Sequence, residues 1–334
     1  MQKILKIALL PLSVLYALVL YIRHTLYDLA VFKSYKSSIR TVGIGNLAFG
    51  GSGKSPLTIY LAEFLMSRSL KVAIVSRGYK RSTQGVLRCN AEHKAKEIGD
   101  EPKMYVSKLP HAIVMVAERR KEAILFLEGL PNPPDVILLD DCYQHRAITP
   151  HVLLLLSEAQ KPYWKDWLVP SGYLRDVKYA SKRADALILT KLEPGLTISL
   201  PHFWKAKNVF ESSITYLNPL NKGKKGQDVL DSVVCFSGLA DDKKLKEYLS
   251  SSFNLVQAFS FPDHHYFTDN ELKKIIKKAG TSCSILTTEK DYARLTEAQL
   301  KILSEENFHV VPISTPPKDE KKFQAFILTS LGLK

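Results

Sequence analysis

Apolar runs alternate with amphipathic stretches along most of this chain. Residues 39–44 form an apolar run that enters a glycine-rich loop. Residues 56–67 then place Leu57, Tyr60, Leu61, Phe64 and Leu65 at helical spacing. Further apolar runs occupy 71–76, 111–116, 136–139, 152–156 and 186–189, with a helical pattern at 117–130. Strands uninterrupted by polar residues and separated by helices predict a mostly parallel sheet with helices on both faces. Pockets in such a sheet form at the carboxyl ends of the strands. Pro194, Gly195, Pro201 and Pro219, with the basic turn at 221–226, predict a linker and hairpin. The alternation then resumes with strands at 233–236, 256–261, 284–287 and 310–313 and helices at 241–250 and 269–278. The expected organisation is an N-terminal helix (1–24), an α/β nucleotide-binding domain (25–200), a linker and hairpin (201–228) and a smaller C-terminal α/β lobe (229–334).

The N-terminal run is of another kind. Residues 7–22 carry no charge and follow Lys3 and Lys6. A spanning helix wants ~20 apolar residues, so this one is short, and it contains Pro11. No small-x-small cleavage site follows it, which argues against a signal peptide. Arg23, Lys33, Lys36 and Arg40 favour a downstream domain on the cytoplasmic side. Tyr16 and Tyr21 suit headgroup depth. The expectation is an uncleaved membrane-associated helix, spanning or lying in the interface. A buried core helix is the plainer alternative.

The loop supplies the chemistry. Gly50-Gly51-Ser52-Gly53-Lys54-Ser55 between a strand and a helix start reads as a phosphate cradle, which makes the fold P-loop NTPase-like. Lys54 would reach the β- and γ-phosphates, and the Ser55 hydroxyl would hold Mg²⁺. Pro56 suits the first helical position, where its missing N–H costs nothing. Ala48 stands where the strict pattern has its first glycine. Asp140-Asp141 ends an apolar strand, where a carboxylate can hold the Mg²⁺ that bridges nucleotide phosphates.

Two clusters keep two readings each. Asp100-Glu101-Pro102 is either a capped helix start or the seat of a general base for transfer to an alcohol. Phe261-Pro262-Asp263-His264-His265 is either an Asp-capped turn or a source of a histidine that tunes a carboxylate across an interlobe cleft. No partner ligands at suitable spacing support zinc there.

Composition adds one constraint and removes several classes. Lys and Arg number 47 against 33 Asp and Glu, a net charge of +14 that implies an anionic partner. No base-reading motif points to nucleic acid. Cys89, Cys142, Cys235 and Cys283 lie far apart, which fits neither a zinc site nor a disulfide framework and suits a reducing compartment. No obligate protein partner is evident.

The ordered set of motifs resembles the tetraacyldisaccharide 4′-kinase family, which phosphorylates the lipid A precursor of Gram-negative bacteria. The set comprises Gly45-Asn46 with the loop 50–56, Ser76-Arg77-Gly78-Tyr79, Gly99-Asp100-Glu101-Pro102, and Asp140-Asp141 with Gln144-His145-Arg146. Gly172 with Leu174-Arg175, Phe261 with Asp263-His264, and residues 287–291 complete it. The resemblance implies ATP and Mg²⁺ as cofactors and an acylated glucosamine disaccharide 1-phosphate as acceptor. It also implies work at the cytoplasmic face of the inner membrane. It assigns Asp100 as base and His264 as its paired histidine. Lys54 and Ser55 match the phosphate and Mg²⁺ positions, and Asp140 and Asp141 the acidic pair near the metal. Arg77, Gln144, His145 and Arg175 match further motif residues. Cys142 and Tyr143 depart from the family's Gly-Phe, and 170–177 departs from its usual loop.

Two other classes fit the loop less well. A membrane-associated GTPase switch would use Thr190-Lys191-Leu192-Glu193 to read guanine, but Glu193 stands where Asp is needed. A septum-positioning type of ATPase would carry an extra lysine early in the loop, where this chain has Ala48 and Phe49.

Overall fold

Runs of Val, Ile and Leu without polar alternation are covered on both faces here. The computed structural model describes residues 6–193, 195–224, 228–229, 231–239, 241–263 and 265–333. The larger sheet contains β1 (Arg40–Asn46), β2 (Val72–Ser76), β3 (Leu87–Cys89) and β4 (Ile113–Val116). It continues with β5 (Val136–Leu139), β6 (Val152–Glu158), β7 (Ala186–Thr190) and β8 (Asn208–Glu211). Their order is β3-β4-β2-β5-β1-β6-β7-β8, and only β3 runs antiparallel to its neighbour. Alternate residues feed opposite cores. Val72 and Ile74 join Leu57, Leu61 and Leu65 of the helix Lys54–Ser67, while Ala73 and Val75 join Ala123, Ile124 and Leu127 of the helix Arg120–Glu128. Each such Leu or Ile, fully buried, contributes about 1.5–3 kcal/mol.

Register places the chemistry. β1 lies between β5 and β6, with Gly43 beside Leu139 and Asn46 beside Leu156. The glycine loop after β1 and the acidic pair after β5 therefore leave the same sheet edge. Gly43 and Gly45 serve packing rather than the loop. A Cβ at Gly43 would meet Cys142 Sγ at 2.8 Å, and one at Gly45 would meet the Tyr143 side chain at 2.7 Å. The two departures from the family pattern thus sit directly against β1.

The second lobe is built on β9 (Thr215–Tyr216), β10 (Leu220–Asn221), β11 (Ser232–Ser237), β12 (Asn254–Ser260), β13 (Ser284–Thr288), β14 (Phe308–Val311) and β15 (Ile313–Ser314). Its main sheet runs β10-β14-β13-β11-β12. Helices 269–279 and 297–304 each start with a capping box, from Thr268 with Glu271 and from Thr296 with Gln299.

Two segments pack differently from the sequence expectation. β8 and the helix His202–Lys205, read as linker, complete the larger sheet and bury Trp204, whose indole donates to Tyr163 Oη at 2.6 Å. The helix Glu320–Ser330, read with the second lobe, returns to the first core. Phe323, Ile327 and Leu331 join it, and Phe323 meets Phe210 edge-on at 4.9 Å. The cause is tertiary: the apolar side of this helix packs beside helix 54–67 in one core, with the Phe323 and Tyr60 rings 6.2 Å apart.

The N-terminal helix Leu10–Asp28 is long and apolar enough to cross a membrane, yet it is docked along the first domain. Ser13, Leu20 and His24 are buried on one side. Ser13 Oγ lies 2.9 Å from Ser171 Oγ and donates to the Leu168 carbonyl at 3.0 Å. Tyr16 Oη donates to the Arg175 carbonyl at 3.1 Å, and His24 Nε2 pairs with Asp176 Oδ1 at 2.7 Å. Residues 13, 16, 20 and 24 share one helix face. The opposite face exposes Leu12, Val14, Leu15, Leu18, Val19 and Ile22, each more than half exposed. The buried-core alternative does not describe this helix.

Candidate active site

The loop after β1 turns on glycine. Gly50 has φ +109° and Gly53 φ +82°, and Gly53 immediately precedes helix 54–67. L-residues with a side chain rarely adopt such angles. The first helical turn carries no acid and no side-chain cap, so its N–H groups remain available to an anion. A Cβ on Gly50 or Gly51 would meet nothing within 4 Å, and the Ser52 hydroxyl is buried with no partner among the described residues. Thr190 Oγ1 braces the loop from β7 by donating to the Ser52 carbonyl at 2.9 Å.

Lys54 points to the end of β5. Its Nζ lies 3.7 Å from Asp141 Oδ1 and 3.4 Å from Asn46 Oδ1. Arg175 grips the same groups. It donates to both carboxylate oxygens of Asp141, at 3.0 Å for Oδ2, and to Asn46 Oδ1 at 2.6 Å. Burial pushes the Asp141 carboxyl upward, but Lys54 and Arg175 overcome it and hold it at about 2. Asp141 adopts φ +44°, which turns it away from Asp140.

Asp140 has the opposite environment. Burial, then the charges of Glu101 and Asp141, push its carboxyl up to about 7. Oδ2 accepts from Ser76 Oγ at 3.2 Å, while Oδ1 is buried with no partner among the described residues. Ser55 Oγ donates to Glu101 Oε1 at 3.0 Å. A buried, partnerless carboxylate oxygen near a hydroxyl and a second acid fits a hard divalent cation. Among the described residues no three His, Cys, Asp or Glu side chains converge as a metal cage. Mg²⁺ that shares phosphate oxygens needs only one or two carboxylates.

Asp100 opens the helix Asp100–Lys108 and sits 8% exposed against the second lobe, where Arg294 Nε donates to its Oδ2 at 2.8 Å. A small cavity is lined by Tyr79, Asp100, Glu101 and Pro102. Gly99 has φ +96°, which lets the chain enter this helix close to Gly78. His264 lies outside the described residues. Its neighbour His265 bonds Glu271 Oε2 at 3.0 Å and stacks on Phe261.

The remaining predicted residues fall around β1 and β5. Gln144 Nε2 donates to the Asn46 carbonyl at 2.9 Å. Arg77 is exposed just beyond β2. His145 is held neutral: burial first, then the charges of Arg120, Arg23 and Arg77, lower its pKa from 6.5 to about 4. The unfolded chain therefore binds a proton between these values that the folded chain refuses, so stability is full above 6.5 and falls as the pH drops through about 4. We expect His145→Asn to flatten this part of the acid profile in melting curves at about pH 7 and about pH 5. An unchanged slope would assign the acid sensitivity elsewhere.

The sequence alone gave no separate role to Asn46, Glu101, Arg120 and Arg294. Asn46 is a hub for Lys54, Arg175 and Gln144. Arg120 donates to the carbonyls of Asp140 and Asp141 at 2.8 and 3.0 Å. Glu101 faces Ser55, and Arg294 faces Asp100. Only Asn46 and Glu101 lay inside quoted motifs. Lys191 and Glu193 of the guanine-reading alternative are engaged in ion pairs with Glu158 and Lys244.

Comparisons with known proteins identify the family of the whole chain. The family model described as tetraacyldisaccharide-1-P 4′-kinase matches residues 5–332. The tetraacyldisaccharide 4′-kinase of Flavobacterium psychrophilum is 33% identical over 96% of this chain and 95% of its own length. That of Parabacteroides distasonis is 34% identical over 95% of this chain and 92% of its own. The crystal structure of LpxK from Aquifex aeolicus in complex with ATP superposes with a TM-score of 0.79 at 31% identity, covering 98% of this chain and 99% of that one.

Proposed function

Because the chain belongs to the tetraacyldisaccharide 4′-kinase family, we propose that it transfers the γ-phosphate of ATP to the 4′-hydroxyl of a tetraacylated glucosamine disaccharide 1-phosphate. The observation that carries this reading is the match over residues 5–332, together with a glycine loop open to an anion. In this reading the N–H groups of loop 50–55 and the helix start hold the triphosphate, and Lys54 lies against its β- and γ-phosphates. Ser55, Glu101 and Asp140 would hold Mg²⁺, which when bound neutralises charge on the phosphate oxygens. Asp141, already gripped by Arg175, orients Lys54 instead. Asp100 accepts the proton of the 4′-hydroxyl as its oxygen attacks the γ-phosphorus, and the bond to the ADP oxygen breaks. His264 is the histidine assigned to assist Asp100.

The test is direct. With γ-labelled ATP, Mg²⁺ and the acylated disaccharide 1-phosphate in mixed micelles, label should enter a doubly phosphorylated lipid. Label released only as free phosphate, or transferred only from GTP, would overturn the reading.

The acceptor's acyl chains keep it in a bilayer, and we assign the enzyme to the cytoplasmic face of the inner membrane. Supporting this is the exposed apolar face of helix 10–28, continued by exposed Trp167 and Tyr173 in the segment that Ser13 contacts. Aromatic side chains of this kind favour headgroup depth. The contacts of Ser13, Tyr16 and His24 support an interfacial helix rather than a spanning one. Leu15→Glu with Val19→Glu leaves those contacts intact. We expect it to weaken vesicle partitioning by about 100-fold or more, since each lost apolar side chain is worth about 1.5–3 kcal/mol. The melting temperature should stay unchanged. Undiminished partitioning would contradict the assignment.

A further inference from the structure

Asp100 is met from the opposite lobe by the Arg294 guanidinium. Arg294 presents its Nε edge to Asp100 Oδ2 at 2.8 Å, while Nη1 donates to Asp291 Oδ1 and the Gly238 carbonyl, each at 3.0 Å. The Arg294 side chain has no exposed surface. Asp291 is itself fixed, since the Gly238 N–H donates to Oδ1 at 3.0 Å and Thr288 Oγ1 to Oδ2 at 2.6 Å. The guanidinium is thus set from behind by the second lobe and offers one face to the first.

A second contact lies along the same helix. Lys108, the last residue of helix 100–108, pairs with Glu289 at 2.9 Å, and Glu289 opens the short helix Glu289–Tyr292 that carries Asp291. Both ends of helix 100–108 are therefore tied to one short stretch of the second lobe, residues 289–294. Buried ion pairs are a poor means of joining lobes, because apolar side chains of equal volume do so at less desolvation cost. An arginine fork does something apolar side chains cannot: it fixes the direction of a carboxylate.

We propose that Arg294 is a positioning residue for phosphoryl transfer, holding the Asp100 carboxylate where the acceptor hydroxyl must meet it. The base is then assembled from both lobes. The proposal rests on the reading of Asp100 as base.

The experiment compares the full-length chain with Arg294→Gln, Arg294→Lys, Asp100→Asn and the double variant R294Q/D100N, by lipid-kinase kinetics and melting curves. Misplacing a reacting group by about 1 Å costs on the order of 100-fold, so R294Q should lose about that much kcat with KM for ATP changed less than about threefold. R294K returns the charge without the fork and should recover about tenfold of that loss. The double variant should turn over no more slowly than D100N, because both changes disable one unit. Wild-type turnover by R294Q beside a crippled D100N would overturn the positioning role and leave the base reading intact. Wild-type turnover by D100N would remove the base reading, and this proposal with it. Losses that add in the double variant would reduce Arg294 to a structural brace and overturn the proposal. Should R294Q fail to fold, R294K decides: reduced kcat at an unchanged melting temperature supports positioning, and unreduced kcat overturns it.

Discussion

Replacing Lys54 with Met is expected to lower kcat/KM by at least about 1,000-fold. Lys54 directly follows the loop at the open helix start, and its ammonium reaches the Asp141–Arg175 pair. Charge develops on the transferring phosphoryl oxygens in the transition state, so a preorganised cation there acts on kcat as well as on ATP binding. Met keeps the stem and its packing and removes only the charge. Asp141 would retain Arg175, which limits structural damage. Steady-state kinetics with a folded K54M protein give the answer, and a loss under about tenfold would mean that Lys54 does not touch the transferred group.

Asp100→Asn is expected to cost about 100- to 10,000-fold in kcat while ATP affinity stays near wild type. The amide oxygen still accepts from Arg294 Nε, so the interlobe contact survives in outline. What disappears is the basic site for the hydroxyl proton. A general base acts in the transition state, so the loss belongs in kcat rather than in nucleotide binding. Equilibrium ATP binding and single-turnover transfer, measured on one preparation, separate the two. Weakened ATP binding with normal transfer would relocate Asp100 from the chemistry to the nucleotide pocket.

Much of the first domain was legible because its strands are buried on both faces. Runs such as Val136-Ile-Leu-Leu139 have no polar register to misread, and the strands expected at 136–139, 152–156 and 186–189 appear within two residues of those bounds. The edge strands were not legible. Leu87-Arg88-Cys89 is three residues long and half exposed, so local pattern cannot separate it from a loop. The last helix was legible as a helix but not in its address, because only tertiary packing reveals that Phe323 belongs beside Phe210.

The site divides in the same way. Loop 50–55 and the acids at 100 and 140–141 were visible because glycines and strand-end carboxylates have few other uses in tandem. The separate natures of Asp140 and Asp141 were not, since adjacent identical residues are set apart by Lys54, Arg175, Glu101 and Ser76, all distant in sequence. Arg294 left a faint trace: it stands three residues after Asp291, an ion-pairing distance on a helix, among buried neighbours Ala293 and Leu295.

With helix 10–28 in the membrane interface, as proposed, its seating would govern how deep the enzyme rides. A domain on a slack leash would hover at many heights, and its catalytic groove would meet a sugar headgroup only on a fraction of visits. Here the helix is bolted through Ser13, Tyr16 and His24 to the stretch that carries Arg175. In that proposed placement, immersion depth and the tilt of the groove would be one mechanical quantity, set by side-chain contacts and not by the length of a tether.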